Sequence, residues 1–277
     1  MIDFQREALE AKGGKLALGK RKIIYFSDEL NDEFSTAKIE PKHIGDDYRY
    51  IRSSLGEKIA RFFWYRIIFT PLATFYAKII RRQRVVNAKL LKKFKFTGYV
   101  LYGNHTHALG DALMPHLTNF PKHNYTIVHP SNVSMRFLGK ITPLLGALPL
   151  PDTKGAYKNF SDAIKTRIKE KKCVIIYPEA HIWPYYTKIR PFTDTSFSYP
   201  IKHDVPTFCF TNTYQKRRFS RKVRVVTYVD GPFYANTDLS KKEQRKHLRD
   251  QVYECMCERA RMSNVEVIRY ERRESKE

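Results

Sequence analysis

From residue 97 onward, apolar residues fall into short continuous runs, at 99–103, 125–129, 147–150, 173–177, 207–211 and 223–229. Runs of this length without polar alternation read as strands buried on both faces. Between them lie stretches with helical spacing. The clearest is 154–171, where Ala156, Phe160, Ile164 and Ile168 share one face. A charged helix is expected over 239–262 and a last strand over 264–270. Strands alternating with helices predict an α/β fold over 97–277, with a mixed, mostly parallel sheet covered by helices.

The stretch 56–96 has a different texture. From Ile59 to Val86 it is aromatic and aliphatic, interrupted mainly by Arg and Lys. Its uncharged piece 67–77 is too short to span a bilayer. Pro71 is expected to divide the run into a helical hairpin. Phe62, Phe63, Trp64 and Tyr65 are adjacent, so their rings surround a helix rather than share a face. Arg61, Arg66, Lys78, Arg81, Arg82 and Arg84 can reach phosphate level while the rings sit among headgroups. The reading is a membrane-docking hairpin; the alternative is a hairpin packed on its own domain. Residues 1–55 are polar and form an expected N-terminal arm, with a short extended segment and turn at 22–28. Its first 15 residues carry acids and lack the apolar core of a secretory leader.

Composition narrows the partners. Lys and Arg number 51 against 28 Asp and Glu, a formal net charge of +23, in a chain that is 42% apolar. A core can form, and the partners should carry negative charge. The strip Lys216, Arg217, Arg218, Arg221 and Lys222 suits nucleic acid, but no nucleic-acid motif accompanies it and no such partner is expected. Cys173 and Cys209 lie in strand-like runs, while Cys255 and Cys257 are too close for a standard disulfide. All four read as packing residues of a protein kept in a reducing compartment.

One segment carries chemistry. Asn104, His105, His107, Gly110 and Asp111 follow a predicted strand and precede a helix, where open α/β sheets place their sites. A histidine with a nearby carboxylate makes a general base whose orientation is fixed. His105 is the favoured base and Asp111 its orienting partner; His107 competes for the role. A rival reading takes His105, His107, Asp111, His129 and His181 as metal ligands of a hydrolase. The metallo-β-lactamase spacing fails, because Leu109 stands where it requires Asp. A third reading is a non-catalytic lipid- or nucleic-acid-binding basic protein.

Three further segments complete a pattern: Gly146 to Asp152, Tyr177-Pro178-Glu179, and Val205-Pro206. With Asn104-His105 and Asp111, their order and spacing resemble the glycerolipid (lysophospholipid) acyltransferase family over about 97–230. The resemblance implies an acyltransferase of phospholipid metabolism at the cytoplasmic face of a membrane, peripheral or monotopic. Its partners would be membrane lipids and an acyl-CoA or acyl carrier protein donor, and it needs no metal or cofactor. It also implies that His105 and Asp111 are catalytic, and that Glu179, Gly146, Lys154 and Arg190 serve substrate binding. Two departures stand out. Five residues separate His105 from Asp111 where the family has four, which calls for a bulge at Gly110. The family's two phosphate-holding arginines fall on Asp152 and Ile182. Either Lys154, Lys188 or Arg190 replaces them, or the acceptor head carries less charge than lysophosphatidate; the second option is favoured.

Overall fold

A computed structural model describes residues 22–34, 39–217 and 220–273. The amino-terminal 21 residues, with the leader argument that rests on them, and Arg218 of the basic strip lie outside the described residues. The chain runs β1 (Lys22–Phe26), a composite helix α1 (Leu55–Phe62, Phe63–Phe69, Thr70–Phe75 and Tyr76–Ile80), β2 (Arg84–Val86), α2 (Lys89–Lys93) and β3 (Tyr99–Gly103). It continues through α3 (Ala108–Asn119), β4 (Asn124–Val128), α4 (Ser131–Ser134), α5 (Leu138–Ile141), β5 (Ala147–Pro149), α6 (Lys154–Lys169) and β6 (Cys173–Ile176). It closes with α7 (Ser198–His203), β7 (Thr207–Arg217), β8 (Ser220–Phe233), α8 (Lys241–Ala260) and β9 (Ile268–Arg272).

Seven strands form one sheet in the order β2-β8-β7-β3-β6-β4-β5. Every pairing is parallel except the β7–β8 hairpin. The expected α/β architecture is therefore present. β3 and β6 are buried throughout, as continuous apolar runs require. Helix α6 turns Ala156, Phe160, Ile164 and Ile168 inward, the face that the spacing predicts. The Thr153 hydroxyl caps this helix by accepting from the Ala156 N–H. The expected last strand, β9, pairs instead with β1 in a separate two-stranded sheet.

The hairpin reading of 56–96 is corrected. Residues 55–80 form one continuous helical rod that includes two π-helical stretches. The Thr70 N–H bonds the Tyr65 carbonyl, shifting the ladder by one residue just ahead of Pro71. Proline's missing N–H then leaves the rod unbroken. One face docks on the α/β body through buried Tyr65, Thr70, Ala73, Tyr76 and Ala77. Tyr65 stacks on His123 at 3.6 Å, and its hydroxyl accepts from the Asn124 N–H at 2.9 Å. The opposite face is exposed and apolar, carrying Ile59, Phe62, Phe63, Ile67, Leu72, Phe75 and Ile79.

Residues 39–54 lie against the body. Ile44 and Tyr50 are buried in its core, and the Ile44 N–H donates to Asp152 at 2.6 Å. Gly146 is also corrected. It precedes β5, three strands from β3 and at the opposite end of the parallel strands from His105. Its φ is +99°, and a Cβ there would stand 2.2 Å from the Asn124 carbonyl oxygen. Glycine serves a turn and a close backbone approach at this position, not substrate contact.

Candidate active site

β3 delivers the chain to residues 104–107 at the C-terminal edge of the sheet. Both neighbours of His105 are fixed. Asn104 is buried, and its side chain donates to the Asn212 carbonyl at 3.0 Å and accepts from the Asn212 N–H at 2.8 Å. The Thr106 carbonyl accepts from the Tyr185 N–H at 2.9 Å, and its hydroxyl from the Tyr214 hydroxyl at 2.9 Å. His105 is held between them. Its N–H donates to Glu179 Oε2 at 2.9 Å, and its ring stacks on Tyr177 at 4.6 Å.

His105 Nδ1 lies 2.8 Å from Asp111 Oδ2, and the side chain stays 17% exposed. Nε2 has no hydrogen-bond partner among the described residues and is not among the buried orphan atoms. One ring nitrogen is thus committed to a carboxylate and the other is open. Asp111 stands in the first turn of α3, where the helix dipole favours its charge. Its Oδ2 also accepts from the His107 N–H at 2.9 Å, and its carbonyl from the Tyr177 hydroxyl at 2.6 Å. Burial pushes the Asp111 carboxyl above its usual range, opposed by the bond and charge of His105.

The extra residue in the motif is absorbed without a bulge at Gly110. His107 is extended (φ −154°) and caps α3, its Nδ1 accepting from the Gly110 N–H at 2.9 Å. A Cβ on Gly110 would press on the His107 ring at 2.8 Å, so glycine admits the capping imidazole. This corrects His107 as an alternate base. Nδ1 is occupied, Nε2 is buried without a partner, and burial with nearby Arg81 lowers its pKa to about 3.

The Glu179 and Arg190 side chains are engaged inside the protein. Both side chains are fully buried. Glu179 Oε1 accepts from the Arg190 N–H at 3.0 Å, and the Arg190 guanidinium donates to the Glu179, His181 and Glu29 carbonyls. Burial raises the Glu179 carboxyl, and Arg190 pulls it back. Lys154 opens α6 and Lys188 sits in the long loop after β6, both exposed. Asp152 spends its charge on the Ile44 N–H and His43, and the Ile182 N–H donates to Glu33. Sequence reasoning named Tyr177 only as part of a motif, and missed Tyr185, Asn212 and Tyr214, whose contacts depend on how the strands and loops come together.

The proposed metal ligands do not converge. His107 caps a helix, His129 bonds Ser131, and His181 bonds Glu33. Among the described residues, the one group of three candidate ligands is Cys209, Asp230 and Cys255, away from His105 on β7, β8 and α8. There both Asp230 oxygens accept from Arg259.

Three buried histidines set a pH dependence of stability. His107 and His116 are lowered to about 3, and His123 well below 6.5, each chiefly by burial. Between about pH 6.5 and 3 His107 and His116 are neutral when folded and protonated when unfolded, so stability falls as pH falls through this window, and His123 adds to the fall below pH 6.5. At pH 5 His107 and His116 each cost about 2 kcal/mol relative to pH 7, and His123 acts in the same sense. The raised carboxyls of Asp111 and Glu179 act in the opposite sense. Urea unfolding should show lower stability at pH 5 than at pH 7, and His116→Phe should reduce that difference by one histidine's share. An unchanged difference would contradict the neutral state of His116.

No protein-family model matches this chain, and no curated protein matches it by sequence. Among solved structures, it is similar to the crystal structure of the 1-acyl-sn-glycerophosphate (LPA) acyltransferase, PlsC, from Thermotoga maritima. The TM-score is 0.49 at 14% identity, over 76% of this chain and 84% of that one.

Proposed function

We propose that this protein is an acyltransferase that moves a fatty acyl group from acyl-CoA or acyl carrier protein to a hydroxyl of a lysophospholipid-like acceptor. The observation that carries this reading is His105, with Nδ1 on buried Asp111 and Nε2 open at the sheet edge. The ordered motifs of the sequence supply the reaction class. In the reaction, Nε2 takes the proton of the acceptor hydroxyl as its oxygen attacks the thioester carbonyl. Asp111 holds the ring and stabilises the imidazolium. The tetrahedral intermediate then collapses, the carbon–sulfur bond breaks, and the imidazolium returns the proton to the leaving thiolate. The products are the acylated lipid and the free thiol of the donor.

The acceptor head is less charged than a phosphate monoester. Arg190 is fully buried with both terminal nitrogens on backbone carbonyls and Asp152 is acidic, so neither offers the bidentate fork such a group favours.

The site works at an anionic lipid surface, which the exposed face of α1 contacts. No helix among the described residues is long and apolar enough to cross a membrane. Exposed Ile59, Phe62, Phe63, Ile67, Leu72, Phe75 and Ile79 are interspersed with exposed Lys58 and Lys78, as surface docking requires, while half-buried Arg61 and Arg66 reach back to Tyr125 and Pro121 of the body.

Incubation of the purified protein with an acyl-donor panel and mixed lysolipids, read by lipid mass spectrometry, should yield an acylated lipid. His105→Ala should lower its rate by about 10²–10⁴-fold while keeping the fold. Full activity of His105→Ala would overturn the assignment. In vesicle sedimentation, part of the binding should resist salt, because buried rings add to about 1 kcal/mol per screened cation. Serine at Phe62, Phe63 and Phe75 together should remove that salt-resistant part. Binding unchanged by the triple substitution would show that this face does not meet the lipid.

A further inference from the structure

The exit of α1 is tied to both neighbours of His105. The rod ends at Ile80, and Gln83 follows with its N–H on the Ala77 carbonyl at 2.8 Å. The Gln83 side chain turns inward and is 92% buried, an odd environment for a glutamine next to an exposed helix face. Its Nε2 donates to the Thr227 hydroxyl at 2.6 Å. That hydroxyl donates to Asn212 Oδ1 at 2.7 Å. The Asn212 backbone in turn forms the reciprocal pair with the Asn104 side chain described above. Thr227 is on β8, Asn212 on β7 and Asn104 at the end of β3, so the relay crosses three adjacent strands to the residue before His105. On the other flank, the Arg81 guanidinium lies over the Tyr185 ring at 5.7 Å, and Tyr185 and Tyr214 hold Thr106.

The relay is costly. Gln83 Oε1 and Asn212 Nδ2 are buried with no hydrogen-bond partner, and an apolar trio would avoid both orphans. Core packing therefore does not explain these polar residues. Apolar side chains could fill the space, but they could not fix the position of Asn104 by directional bonds.

We infer that Gln83 and Thr227 are positioning residues for His105, acting through Asn212 and Asn104, and that the exit of α1 is part of the active-site scaffold. This rests on the reading of His105 as the base. It adds that the lipid-facing helix and the reacting imidazole share one hydrogen-bonded frame. A helix lifted from the body would pull Gln83 from Thr227 and release the Asn104 side of the loop.

The test compares Gln83→Met and Thr227→Val, which keep shape but break the relay, with Thr227→Ser, which keeps the hydroxyl. Two readouts are needed. The first is kcat and KM for acyl transfer. The second is the ring resonance of His105 in nuclear magnetic resonance spectra of the full-length protein, assigned with His105→Ala. Gln83→Met and Thr227→Val should lower kcat by about 10-fold or more with KM nearly unchanged, as expected when a reacting group is misplaced. Both should move the His105 resonance, and Thr227→Ser should resemble wild type in both readouts. If wild type shows no acyl transfer, the functional reading fails, and the resonance still tests the relay. An unmoved resonance in folded Gln83→Met and Thr227→Val overturns the inference. So does a Thr227→Ser variant impaired as much as Thr227→Val. Should Gln83→Met not fold, the pair at Thr227 decides the matter.

Discussion

Burial of Asp111 is the constraint on which the site depends. A carboxylate taken out of water must recover its hydrogen bonds from the protein, each worth about 1.5–3 kcal/mol when charge is involved. Asp111 recovers two of them, both at Oδ2, from His105 Nδ1 and the His107 N–H, while Oδ1 is buried without a partner; both groups belong to the four-residue link between β3 and α3. Satisfying one buried oxygen therefore fixes the link's path, places His107 as a cap, and leaves only Nε2 of His105 facing outward. Glu179 repeats the device from the other side. Its buried carboxylate takes the His105 N–H and the Arg190 N–H, joining the loop after β6 to the loop after β3.

The same economy extends to α1. Its two faces meet different demands. The inner face ends on Tyr65, Tyr76 and Ala77 and is closed by contacts with α3 and the β7–β8 hairpin. The outer face carries large apolar side chains that no described residue covers, an unfavourable exposure. A lipid surface would offset that cost and bring the acceptor to the sheet edge where His105 opens. The π-helical turns matter here, because they let the rod pass Pro71 without kinking away from the body.

Much of this was legible in the sequence, for physical reasons. Strands buried on both faces must be apolar throughout, so β3 and β6 were readable from 99–103 and 173–177. The His105–Asp111 pair was readable because a strand–loop–helix junction narrows where a base and its partner can stand. Other features depend on pairing and register. β7 and β8 run well beyond their apolar cores, since Asn212, Thr213 and Gln215 are paired in the ladder and hydrogen-bonded with one another's neighbours. Arg190 looked like a phosphate ligand because its charge is visible in sequence, while its three carbonyl partners are not. Gly146 looked functional for its place in a motif, yet the carbonyl it must avoid belongs to β4. The continuity of α1 was hidden because a π-helical shift ahead of proline leaves no compositional mark.

For His105 to act as the proposed base, the neutral ring must carry its proton on Nδ1 toward Asp111 and leave Nε2 unprotonated toward the acceptor. Nitrogen-detected nuclear magnetic resonance of the neutral ring, with His105 assigned by substitution, reads this tautomer directly. The proton should reside on Nδ1 in the wild-type protein, and that tautomer preference should be lost in Asp111→Ala. A proton resident on Nε2 in the wild-type protein would contradict it, because that nitrogen could not then accept the hydroxyl proton.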